Sequence, residues 1–105
     1  MDLKEFQNIK LTGVTQGNAQ DVIQQIVLEA GVEDFTFCRE PDNPYDQFAV
    51  RVDCCTMYVG YVPRVIAKKV AKVMDSGRNL KGLLKKINRS PGHQILGLTI
   101  DILDL

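Results

Sequence analysis

The stretch Phe48-Ala49-Val50-Arg51-Val52-Asp53-Cys54-Cys55-Thr56-Met57-Tyr58-Val59-Gly60-Tyr61-Val62 decides the class of fold. Phe48, Val50 and Val52 alternate with Ala49 and Arg51, which puts the first three on one face of a strand. Met57 to Val62 reads as the next strand, and a short turn near Cys54 joins the two. Working outward, Phe35 and Phe37 alternate with Thr36 and Cys38 as a strand, and Phe6 to Val14 reads as the first one. Near the end, Leu96, Leu98, Ile100 and Ile102 alternate with Gly97, Thr99 and Asp101, the pattern of a half-buried strand. Leu80 to Asn88 is ambiguous: Leu80, Leu83, Leu84 and Ile87 have helical spacing, but Gly82 interrupts them and the turn Ser90-Pro91-Gly92 follows. The segment is assigned as the hairpin partner of the last strand.

Two helices separate these runs. Asn18 suits an N-cap; Val22, Ile23, Ile26, Val27 and Ala30 follow at helical spacing, and Gly31 suits the stop. Pro63 suits the start of the second helix. Its apolar stripe is Ile66, Val70, Val73 and Met74, ended by Gly77, which leaves Lys68, Lys69 and Lys72 to solvent. The expected fold is mainly β with two helices, about six strands forming a small curled or barrel-like sheet. Residues 1–105 make one domain, long enough to fold without staples and, at 45% apolar, unlike a disordered chain.

Other features narrow the function. The three cysteines, Cys38, Cys54 and Cys55, lack metal-ligand spacing and, beside the single His93, read as reduced structural thiols. No apolar run approaches the roughly 20 residues of a membrane span, and Met1-Asp2-Leu3-Lys4 lacks the apolar core of a signal peptide. The expected location is therefore cytoplasmic. The zero net charge is segregated. Residues 1–63 carry four basic residues against ten acids, residues 64–89 nine against Asp75 alone, and residues 90–105 only Asp101 and Asp104. Such a distribution gives either a local anion-binding face or a merely solvated lysine face.

Arg39-Glu40-Pro41-Asp42-Asn43-Pro44-Tyr45-Asp46 is the most informative loop. Two prolines stiffen it, and it displays Asn43, Tyr45 and Asp46. It suits recognition or, more simply, a tight connection in which Asn and Asp cap their own backbone. Enzyme readings are weak. Pro41-Asp42 has no downstream acid-x-Lys to make a nuclease motif, and Asp42 to Asp46 lacks the glycine and closing glutamate of a calcium loop. One histidine builds no convincing nucleophilic triad, and no Gly-rich phosphate loop with lysine is present.

This loop, then Ala49-Val50-Arg51-Val52, then Gly60-Tyr61-Val62-Pro63-Arg64 with Ile66-Ala67, resembles the HIRAN family, whose motifs recur in this order over nearly the whole chain. The resemblance implies an OB-like six-stranded barrel or curled sheet. It implies a binding module without catalytic residues, cofactor or metal, which captures a 3′-hydroxyl end of single-stranded DNA in repair or replication-fork processing. By position, Asp42 and Asn43 approach the terminal nucleotides through the loop backbone, and Tyr45 stacks on a base. Asp46 accepts the 3′-hydroxyl, Arg64 meets a phosphate, and Gly60 and Tyr61 line the same pocket. Lys68 and the lysine helix hold the preceding phosphates. A helicase or nuclease is the implied protein partner.

One stretch departs from the family. Where the eukaryotic form carries an arginine and tyrosines that stack and clamp, this chain has Thr15-Gln16-Gly17. At about 1–3 kcal/mol per stacked base, the loss of one platform weakens binding by tens of times. The departure leaves two alternatives: a protein-interaction adaptor of the same fold, and an accessory nuclease subunit using Asp42 and Asp46.

Overall fold

The computed structural model describes residues 6–28, 35–89, 92 and 94–104. Its elements are β1 (Ile9–Lys10), α1 (Ala19–Leu28), β2 (Phe35–Arg39), β3 (Val50–Cys54), β4 (Met57–Tyr61), α2 (Arg64–Asp75), β5 (Leu80–Arg89) and β6 (Leu96–Asp104). The six strands form one antiparallel sheet in the order β1-β6-β5-β2-β3-β4. The sheet curls into a half-barrel, and its two edges meet just beyond β1. There the Thr12 N–H donates to the Tyr61 carbonyl at 2.9 Å, and the Tyr61 N–H donates back at 2.8 Å. Gly60 permits this approach: a Cβ there would lie 2.7 Å from the Thr12 carbonyl oxygen. Register shifts between Val52 and Asp53 and between Leu84 and Lys86 add local bending.

Alternation in the sequence becomes the inner face of this sheet. Val50, Val52, Val59, Leu98, Ile100 and Ile102 are fully buried beside Phe35. Each such side chain contributes about 1.5–3 kcal/mol relative to exposure. Helix α1 packs Val22, Ile23 and Ile26 into the core and lies against β4 and β6. Helix α2 buries Ala67, Val70, Ala71 and Val73 and lies against β3. Pro63 occupies the N-cap of α2, where its carbonyl accepts from the N–H groups of Ile66 and Ala67, both at 3.0 Å. Among the described residues, no helix is long and apolar enough to cross a membrane.

Residues 80–88 pair with β6 along their length, so tertiary pairing overrides their helical spacing. Gly82 is where β2 crosses closely, since a Cβ there would sit 2.8 Å from the Phe35 Cβ. The first strand departs from expectation. Only Ile9–Lys10 and the Thr12 bridge remain of Phe6 to Val14, because Asn8 (φ 56°) and Gly13 (φ 67°) turn the backbone at either end. The Asn8 N–H is drawn to Asp101 Oδ1 at 2.8 Å. Phe48, expected in the third strand, sits in the turn before it. Ala30, Gly31, Ser90, Pro91, His93, residues 1–4 and the side chain of Val27 lie outside the described residues.

Candidate nucleic-acid interface

The loop between β2 and β3 is folded around two side chains. Asn43 Oδ1 accepts from the N–H groups of Tyr45 (2.8 Å) and Asp46 (3.1 Å), so Asn43 replaces the partners that the flanking prolines deny. Asn43 Nδ2 donates to Glu40 Oε1 at 3.0 Å, and the Tyr61 hydroxyl donates to the same oxygen at 2.7 Å. The other oxygen of Glu40 lies 3.7 Å from the Arg51 guanidinium. Burial and then the Glu40 contact push the Tyr61 hydroxyl up to about 12, so at neutral pH it stays a neutral donor. Glu40 thus locks the loop to strand β4.

The locked loop forms one wall of an open cleft of about 490 Å³. Asn43, Pro44, Tyr45 and Asp46 line that wall, Thr12, Gly13 and Gln16 line the facing one, and Ala49, Tyr61, Val62 and Arg64 complete the lining. Asp46 divides its carboxylate. Oδ1 accepts from the Phe48 N–H at 2.9 Å, while Oδ2 lies 3.9 Å from Arg64 Nε. Its side chain keeps 20% exposure, against 78% for Arg64. Arg64 also donates to the Tyr45 carbonyl at 2.8 Å, which pins the start of α2 to the loop. The Tyr45 ring is 84% exposed. On the facing wall, the Tyr58 hydroxyl donates to the Gly13 carbonyl at 2.6 Å. The Tyr58 and Tyr61 rings meet edge-on at 5.6 Å. Burial, with the charge of Glu40 second, raises the Tyr58 hydroxyl above its ordinary value.

An exposed aromatic, a half-engaged carboxylate and a guanidinium in one polar cleft match the order of motifs in the sequence, and the family comparison agrees. The sequence model of the HIRAN domain matches residues 4–95. The chain belongs to the HIRAN family. HIRAN domains are nucleic-acid-binding modules. Two solved structures resemble this HIRAN domain. One is a protein from Lactobacillus plantarum, at a TM-score of 0.67 and 22% identity over 94% of this chain and 93% of that one. The other is the HIRAN domain of human HLTF, at a TM-score of 0.59 and 19% identity over 89% and 72%. At these identities the likeness is one of fold. No curated protein sequence matches the chain.

Of the residues singled out in the sequence, Asn43, Tyr45, Asp46, Tyr61 and Arg64 come together at the cleft. Asp42 is exposed on the loop outside its lining, and Gly60 serves the seam between the sheet edges. Lys68 lies one helical turn beyond Arg64, its Nζ 5.3 Å from the Phe48 ring centroid. Among the described residues, no cluster of three His, Cys, Asp or Glu side chains is arranged to hold a metal ion. The single-residue reading missed Glu40, Tyr58 and the lining role of Gln16. Period-two alternation carries the signal for Glu40: Cys38 pairs with Arg51 and Arg51 with Tyr61, so Glu40, two residues from Cys38, shares their face.

Proposed function

We propose that this HIRAN domain is a non-catalytic module that binds the 3′-hydroxyl end of single-stranded DNA in the cleft. In this reading it serves repair or replication-fork processing in the cytoplasm, beside a helicase or nuclease that supplies any catalysis. The observation that carries the proposal is the position of Asp46, whose Oδ2 faces Arg64 in the cleft next to the exposed Tyr45 ring. A carboxylate repels internal phosphates but accepts a hydrogen bond from an uncharged terminal hydroxyl. Arg64, mostly exposed, neutralises the phosphate behind that terminus. Tyr45 stacks on an unpaired base, and the backbone at Asp42 and Asn43 guides the terminal nucleotides. An acid flanked by a base therefore selects an end over a middle.

Fluorescence titration with strands ending in 3′-hydroxyl or 3′-phosphate tests the reading. A hydrogen bond to a charged acceptor contributes about 1.5–3 kcal/mol, so the hydroxyl end binds about tenfold to a hundredfold tighter. Equal binding of the two ends contradicts end recognition. Binding of neither supports the adaptor alternative.

A further inference from the structure

We infer that the strand leaves the cleft along α2, with Arg64, Lys68 and Lys72 meeting three successive phosphates on the 5′ side of the bound end. The inference rests on the end-binding proposal for its polarity. Arg64 lines the cleft at the first turn of α2. Lys68 and Lys72 follow at intervals of four residues, about 6 Å of rise each, on one slowly rotating face. That interval suits consecutive phosphates of an unstacked strand. All three side chains are exposed, while Ala67, Val70, Ala71 and Val73 turn inward.

Three further observations favour a track over a merely solvated face. Lys68 is held over the Phe48 ring, and Phe48 is itself bonded through its N–H to Asp46, so the second cation is fixed relative to the cleft. Among the described residues, neither Lys68 nor Lys72 has an ion-pair partner, so both charges remain available. The acid that ends the helix, Asp75, is engaged by Arg39 at 3.0 Å, which lowers repulsion at the far end of the row. Beside the row Val65 is 89% exposed, an apolar surface on which a sugar or base can rest.

Titrations with strands of two, four and six nucleotides, each ending in 3′-hydroxyl or 3′-phosphate, separate the two claims. Affinity and salt dependence are expected to rise with length on either end. In the Lys68→Gln/Lys72→Gln variant the log–log salt slope of the six-nucleotide strand falls by about 1.4, from about 0.7 per lost phosphate contact. Dinucleotide binding and the melting temperature stay as in the parent. Neutral methylphosphonate linkages at the second and third positions from the end abolish the difference between parent and variant. A salt slope that does not change with length, or that is equal in parent and variant, overturns the track. Loss of hydroxyl-over-phosphate preference alone overturns the end reading and leaves the length and slope result to judge the track.

Discussion

One wall of the cleft, residues 40–46, is bonded to the sheet through Glu40, Asn43 and Asp46, and Arg64 clamps it from the start of α2. The facing turn, residues 13–17, is tied to the sheet by the Tyr58 hydroxyl and to α1 by Gln20, whose amide donates to the Val14 carbonyl at 2.8 Å. Thr15, Gln16 and Gly17 are exposed. The first wall is preorganised, so little ordering entropy is lost when a ligand meets it. The second is the stretch that departs from the eukaryotic family pattern, and it offers an amide where stacking rings are expected. The comparison assigns end recognition to the first wall and affinity adjustment to the second.

Removing the lock on the first wall gives the largest expected effect. Glu40→Ala strips the acceptor from the Tyr61 hydroxyl and the Asn43 amide, and destabilises the fold by about 3 kcal/mol. Denaturant melting measures this, and an unchanged midpoint would mean that the loop holds by backbone bonds alone. Tyr45→Ala sharpens the contrast between order and contact. Its ring is exposed and its loop bonds run through the backbone, so stability stays level while single-strand binding weakens by about 2 kcal/mol. An early melt would instead make Tyr45 a structural residue. Tyr58→Phe loosens only the facing turn. Loss of its bond to Gly13 costs about 1 kcal/mol of stability, and the preference for one end over the other persists. A lost preference would show that the facing turn reads the terminus.

Much of this division was legible from local pattern. The alternation in β3, β4 and β6 and the stripe of α2 fix the core, because burial on one face demands them. The Pro-rich loop announced itself by composition. What stayed hidden depends on residues far apart in the chain. Asn8 breaks the first strand because Asp101, 93 residues away, takes its N–H. Gly60 reads as a pocket residue until Thr12 closes against it. Glu40 carries no local signal of its role, since its partners come from β3 and β4. Lys68 looks like one solvated lysine among several until Phe48, in the turn before β3, lies beneath it.

The most direct test compares Asp46→Asn with the parent on strands ending in 3′-hydroxyl and 3′-phosphate. Asparagine can still accept from the Phe48 N–H, so the loop cap survives while the charge facing Arg64 is lost. The account predicts weaker binding of hydroxyl ends by about tenfold or more, and a phosphate end that binds as well as before or better, because the repelling charge is gone. An equal loss on both ends would contradict it, and would leave Asp46 as a loop cap that does not read the terminus.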